Sequence, residues 1–376
     1  MSFSQEQIIS TLEELIKIPT VSSNYEEIKR AYKYIESLLP ENTFDILYIE
    51  KENVISQIIT FKGVNYKKAK IVLNGHIDVI PADEADFIPR IEDGKMYGRG
   101  TADMKAGIVS LVFSLIRLAE EEKKLDCALI ITSDEEVGGR NGVGYLVNEL
   151  GISPEFVLVA DGPRHDHLTI TIKEKGVAWI EIISEGKAAH AARPWLGDNA
   201  LNKLLLAIDT IRTVVGKDDI DEWMSTATLS KIETQNHSYN RIPEDARAVI
   251  DIRYTEDLAN NPHELLEKIK QNVPSGVHVN LLVGAAILNT DATHKYIAIL
   301  QEVMKEVASK TIPLGFGHAA SDGRYFADKN IPTVLVGPLG ANWHAPNEWV
   351  NIKSVHFLQE SIYQFLLKIE GDIQVE

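Results

Sequence analysis

Apolar and polar positions along this 376-residue chain follow two rhythms. In the first, short apolar runs end in polar or charged residues: "AKIVLNGHID" (69–78), "CALIITSDEE" (127–136), "EFVLVADGP" (155–163) and "IPTVLVGPLG" (331–340). Each has the length and make-up of a buried strand, while "TADMKAGIVSLVFSLIRLAEEEKK" between the first two has helical period and length. Apolar strands alternating with helices predict a largely parallel α/β sheet. The polar residues gather where the runs end, and open sheets of this kind bind ligands at the carboxyl ends of their strands. The N-terminus predicts an amphipathic helix, with Ser4 and Gln7 in capping-box spacing and Ile8, Leu12, Leu15 and Ile16 on one face.

Between about 176 and 288 the rhythm changes. A strand-like "GVAWIEIISEG" precedes a helix over 199–215, then "ATLSKIETQ", "DARAVIDIRY", a helix through "PHELLEKIKQNV", and "VHVNLLVGAA". This β-α-β-β-α-β order is that of a ferredoxin-like unit. Chemistry-bearing motifs resume after it, so residues 176–288 are expected to form a domain inserted into a discontinuous one made of 1–175 and 289–376. Two domains also suit a chain longer than one hydrophobic core usually spans.

Composition narrows the class. With 44% hydrophobic and 25% charged residues the chain reads as an ordinary soluble globular protein. A formal charge of -17 argues against nucleic acid or an anionic membrane as partner. Part of the acidic excess could be carboxylates held for a cation. The single cysteine, Cys127, excludes an internal disulfide and fits a reducing compartment. The N-terminus has no basic start or signal-length apolar core, and no run approaches the roughly 20 apolar residues of a membrane span. The expected location is the cytoplasm.

Several residues at strand ends carry chemistry. His76 and Asp78 lie two apart, so an extended chain points both the same way and Asp78 is placed to orient the His76 ring. Alone this pair does not separate a metal ligand from a structural histidine. Asp103, after glycines at a helix start, is either a ligand or a helix cap. Glu135 and Glu136, Asp161 and the distant His344 complete the set. Two histidines and several carboxylates are donors suited to Zn²⁺. Five carboxylates (Asp78, Asp103, Glu135, Glu136 and Asp161) would carry -5, which a pair of divalent ions nearly cancels.

In order along the chain, "GHIDVIP", "GRGTADMKAG", "SDEEVGG", "VADGP", "AAHAARPWLGDNA", "SDGRYF" and "WHAPNEW" resemble the M20 metallopeptidase family. That family includes succinyl-diaminopimelate desuccinylase, acetylornithine deacetylase, aminoacylase and several di- and tripeptidases. The resemblance implies a zinc-peptidase-like α/β catalytic domain, its mixed sheet flanked by helices, carrying an inserted lid. It implies two Zn²⁺ per chain, with Co²⁺ or Mn²⁺ as substitutes. His76 and Asp161 would hold one ion, Glu136 and His344 the other, and Asp103 would bridge them.

The resemblance gives Glu136 to the metal and makes Glu135 the general base, a division that an extended segment permits because its neighbouring side chains point oppositely. Asp134 receives no role. By the same resemblance His190 stabilises the oxyanion in a neighbouring subunit's site, within a homodimer joined through the lids. Arg253 and Arg324 match positions that bind a substrate carboxylate, although a structural ion pair accounts for either equally well. The expected activity is hydrolysis of an N-acyl amino acid such as acetylornithine or succinyl-diaminopimelate, with a dipeptidase or aminopeptidase on short peptides as the alternative. A non-catalytic metal-bound dimeric binding protein is a further alternative. The "RHDH" histidines (His165, His167) and His237 read as solvated loop residues, and His318 as a pocket-lining candidate.

Overall fold

A computed structural model describes residues 4–162, 165–216 and 223–373. The chain begins with α1 (Gln5–Ile16), α2 (Tyr25–Leu38), β1 (Phe44–Lys51), β2 (Val54–Phe61) and β3 (Ile71–His76). Next come β4 (Arg90–Glu92), β5 (Lys95–Tyr97), α3 (Ala106–Glu120), β6 (Cys127–Thr132), α4 (Val143–Asn148), β7 (Phe156–Val159) and β8 (Ile170–Glu174). The middle holds β9 (Gly176–Glu185), α5 (Ala200–Val215), β10 (Thr226–Glu233), β11 (Asp245–Tyr254), α6 (Pro262–Lys270) and β12 (Val277–Ala285). It continues with β13 (Leu288–Asn289), α7 (Lys295–Ala308), β14 (Leu314–Gly317) and α8 (Gly323–Ala327). Last are β15 (Thr333–Leu335), β16 (Gly340–Ala341), β17 (Trp349–Asn351) and α9 (Ile352–Ile373).

Two compact units result. One lies within Met1–Lys173, Asn289–Gly315 and Ser321–Glu376, the other comprises Glu174–Leu288 and Phe316–Ala320. The first unit holds a nine-stranded sheet in the order β1-β2-β6-β3-β7-β15-β8-β13, with β14 also paired to β8. At its centre β6, β3, β7 and β15 run parallel. β1, β2 and β8 are antiparallel to their neighbours, so the sheet is mixed and the parallel expectation describes only its middle. The departure has a local cause. β1 and β2 are joined by Glu52 and Asn53, both at positive φ, the two-residue turn that returns a strand directly beside itself.

Apolar side chains of α1, α3, α7 and α9 form one core with the sheet. The capping box at α1 is made: Ser4 N–H donates to Gln7 Oε1 (2.6 Å) and Gln7 N–H to Ser4 Oγ (3.3 Å). Ile8, Leu12, Leu15 and Ile16 are all buried, as their spacing predicts. None of the described helices is long and apolar enough to cross a membrane.

A second, smaller sheet in this unit runs β16-β17-β5-β4, all antiparallel. Trp349 pairs with Tyr97 and Asn351 with Lys95, joining segments far apart in sequence. The other unit has a four-stranded antiparallel sheet ordered β10-β11-β9-β12. Burial alternates along β11, and Ile180, Ile182, Ile250 and Ile252 pack with Leu204, Ile208 and Ile211 of α5 and with Leu265 and Ile269 of α6. Its element order is the β-α-β-β-α-β read from the sequence.

Candidate metal centre

Three adjacent parallel strands end at the same edge. β3 ends in His76 beside Thr132 of β6, and β7 leads into Asp161. His76, 2% exposed, turns its Nδ1 to the backbone carbonyl of Asp78 (3.0 Å), while the Asp78 carboxylate lies 3.5 Å away. A carbonyl only accepts, so Nδ1 carries the proton and Nε2 faces Asp103 Oδ1 at 3.1 Å. The ring is therefore oriented first by the main chain of Asp78, and its carboxylate is occupied elsewhere. Its Oδ1 accepts from Glu135 N (3.3 Å), and its Oδ2 from Glu136 N (3.2 Å) and Ser22 Oγ (2.7 Å).

Those amides open a 3₁₀ turn, Glu135–Val137. The extended segment expected there is absent, because a buried anion at Asp78 caps the free N–H groups of a turn. The two glutamates still diverge. Glu136 Oε2 lies 2.9 Å from His344 Nε2, and Glu135 Oε1 lies 3.9 Å from Arg324 Nη1. Asp134 closes the turn, its Oδ2 accepting from Asn141 N (2.9 Å) and Gly142 N (3.0 Å). The glycine of "SDEEVGG" is needed at Gly139, where φ is +62° and an added Cβ would meet Asp322 Oδ1 at 2.1 Å.

Asp103 and His344 reach the site from the smaller sheet. Asp103 follows the loop after β5 in extended backbone (φ -124°, ψ 90°), so it is not a cap on α3. Its Oδ1 faces His76, and its Oδ2 lies 3.4 Å from Nε2 of His344, which sits between β16 and β17. One carboxylate thus serves two imidazoles, one per oxygen.

The charges fit a cation. Burial alone would lower the His76 proton affinity, but the Asp103 and Asp78 carboxylates hold it well above the ordinary value. Contacts with Asp103 and then Glu136 push His344 up to about 10. The Asp103 side chain is 15% exposed, and although loss of water would raise its carboxyl it falls below the usual carboxylate range because both histidines face it. Burial drives Glu135 well above that range; the His76 charge opposes this, and Asp322, Asp161 and Asp103 reinforce it. Histidines drawn to the charged state by acids are doing what a divalent ion does when it replaces their protons. His76, Asp103 and Glu136 each offer a ligand atom within 4.8 Å of the others, and the tautomer of His76 leaves Nε2 available. The donor set therefore fits zinc.

The sequence profile of "Peptidase family M20/M25/M40" matches residues 72–368. The chain belongs to that family. Members hydrolyse amide or peptide bonds with the help of a metal ion, typically zinc, and this chain is such a metallohydrolase. It is 25% identical to succinyl-diaminopimelate desuccinylase of Wolbachia pipientis wMel, over 90% of this chain and 92% of that one. It is 29% identical to the desuccinylase of Acidiphilium cryptum, over 76% and 79%. Among solved structures it resembles the aminopeptidase PepT of Bacillus cereus (TM-score 0.77, 19% identity, 97% and 99% covered). A tripeptidase of Staphylococcus aureus subsp. aureus Mu50 is similar at TM-score 0.77 and 20% identity, over 97% and 98%.

Within the M20 frame the remaining candidates are spread out. Asp161 lies outside the compact ligand group; its Oδ1 accepts from Gly162 N at 2.6 Å, and its charge reaches Glu135. Arg324 is engaged with main chain, donating from Nη2 to Gly138 O (2.7 Å) and from Nη1 to Ser321 O (3.0 Å). In the second unit Arg253 forks onto Asp251 (2.9 and 3.2 Å), and exposed His190 accepts from Ala192 N (3.1 Å). His318 meets Phe316 edge-on in that unit, His237 is an exposed loop residue, and exposed His167 pairs with Asp166. Sequence reading passed over Asp134, Ser22 and Glu348, all in contact with the segments that carry ligands.

Proposed function

We propose that this chain is a co-catalytic dinuclear zinc hydrolase releasing an amino acid from an N-acyl amino acid of the acetylornithine or succinyl-diaminopimelate kind. The observation that carries the two-ion reading is Asp103, whose Oδ1 and Oδ2 face different histidines at 3.1 and 3.4 Å. His76 and Asp161 would hold one ion, Glu136 and His344 the other, with Asp103 between. Bound there, the ions supply Lewis-acid polarisation of the scissile carbonyl and acidify an attacking water. Glu135 takes the proton from that water and passes it to the leaving amine as the C–N bond breaks. Asp78 keeps Glu135 and Glu136 apart by holding both their amides.

The desuccinylase relatives support the deacylase reading. A dipeptidase or aminopeptidase is the second reading, favoured by Asp161, since family peptidases tend to carry aspartate there and deacylases glutamate. A hydrolysis panel with Zn²⁺ or Co²⁺ decides between them: N-acetylornithine, N-succinyl-diaminopimelate, simple N-acetyl amino acids, dipeptides and tripeptides. Preference for a free α-amine overturns the deacylase assignment.

We assign substrate-carboxylate contacts to Arg253 and Arg324. Each would exchange a present partner for substrate, so Arg324→Leu is expected to raise KM. A fall in kcat at unchanged KM would instead mark Arg324 as support for the Glu135 turn. His190 is assigned to the oxyanion of a partner subunit in a homodimer joined through the second unit, worth roughly 10²–10³ in rate. Mixing inactive His190→Ala and Glu135→Ala chains restores activity if it acts in trans. The lone Cys127 supports a cytoplasmic location; cell fractionation checks it.

A further inference from the structure

Glu348 is a buried carboxylate, 2% exposed, that the proposed chemistry leaves unused. It lies four residues after His344, just before β17. Its Oε1 accepts from Ala102 N (2.8 Å) and Asp103 N (3.1 Å). Its Oε2 accepts from Gly100 N (2.9 Å) and from Arg99 Nη1 (2.6 Å). All four donors belong to the segment that ends in Asp103. Two more bonds tie the same strands of chain: Arg99 Nη2 donates to Ala345 O (3.4 Å), and Gly98 N to the backbone carbonyl of Glu348 (3.0 Å).

Helix and sheet do not account for the position of Asp103. Its backbone is non-helical, and β5 has ended at Tyr97. The amide of Asp103 and the two nearest free amides before it all converge on Glu348. An ionised acceptor of several N–H groups fixes their geometry more tightly than a neutral one. The same carboxylate sits on the loop that carries His344, so it holds in register the two segments whose side chains meet at Asp103 Oδ2.

We infer that Glu348 is a positioning residue for the metal centre: it sets Asp103 and His344 at the spacing where one carboxylate serves both histidines. This rests on reading those side chains as metal ligands. The experiment compares wild type, Glu348→Gln, Glu348→Asp and the remote core variant Ile35→Ala. Zn²⁺ affinity is measured by chelator competition, with ion stoichiometry, Tm, and kcat and KM at saturating Zn²⁺.

Glu348→Gln keeps the size but points an amide N–H₂ at N–H donors, and its Zn²⁺ affinity is expected to fall about 10–100-fold, with kcat reduced and KM nearly unchanged. Glu348→Asp, which restores the charge on a shorter arm, recovers part of the affinity, and it supplies the readout should the glutamine variant fail to fold. Ile35→Ala lowers Tm and leaves Zn²⁺ affinity alone. Affinity within about two-fold of wild type in the Glu348 variants overturns the inference while the metal reading stands, since changes at such supporting groups ordinarily exceed that. A wild type that binds no divalent ion overturns both.

Discussion

His76 and His344 flank the same carboxylate but rest on different kinds of support. His76 is 2% exposed, at the end of a central strand paired on both sides. The His344 side chain is 51% exposed, on a loop where its own φ is +61°. The first half of the centre is fixed by the sheet, which the whole core must form in order to fold. The second is fixed by a few hydrogen bonds between loops. A site built this way has a rigid wall and an adjustable one, and the ligands on the adjustable wall are those most sensitive to their supporting residues.

The largest effect is expected at the glutamate that carries proton transfer. Glu135→Gln should keep its metal and lose roughly 10²–10⁴ in kcat; metal analysis beside steady-state rates checks it, and near-normal turnover would remove Glu135 from the mechanism. The two walls are then compared directly. His76→Ala empties a buried position and is expected to lower the stability of the metal-free chain by about 2–5 kcal/mol. His344→Ala should cost less than about 1 kcal/mol, although each variant loses bound metal. Equal losses in chemical denaturation would erase the distinction.

Asp78→Ala frees Glu135 and Glu136 amides on the rigid wall, and activity is expected to drop about 10–100-fold, read as kcat at saturating metal. The smallest effect depends on pH. Burial raises the Asp322 carboxyl to about 7; Arg324 and His76 oppose this and Asp134 adds to it. A carboxyl whose folded pKa lies above its unfolded one contributes stability that is full below about 4 and lost as pH rises through about 7. Asp322→Asn removes that loss, so it should gain on the order of 1 kcal/mol relative to wild type at pH 8 and nothing at pH 4. Thermal melts across that range check it, and a pH-independent difference would count against a raised Asp322 pKa in the native state.

Legibility in the sequence follows the same division. The strands at 69–78 and 127–136, the amphipathic face of α1 and the β-α-β-β-α-β order all come from local periodicity, which a single sequence carries. His76, Asp103, Glu136 and His344 were found through motif order, and they meet within hydrogen-bonding reach. Two features were hidden. The backbone at Glu135 and Glu136 read as extended, because nothing local reveals that Asp78, more than 50 residues earlier, would cap a turn there. Glu348 stood inside a quoted motif and gained no role, since its four partners lie about 250 residues upstream. An acid placed just before a strand and beside a tryptophan was the only signal available. Asp134 reads as an ordinary strand-end residue, because its bonds to the amides of Asn141 and Gly142 leave no mark in the sequence.

The smaller sheet also sets a timetable. β5 cannot find β17 until residue 349 has left the ribosome, because their pairing joins Tyr97 to Trp349. Until then the amides of Ala102 and Asp103 are without Glu348, and the loop that carries His344 is not anchored beside them. By contrast β3 meets β6 through Ile71 and Cys127, so the edge that carries His76 needs far less of the chain than the loop that completes the metal centre.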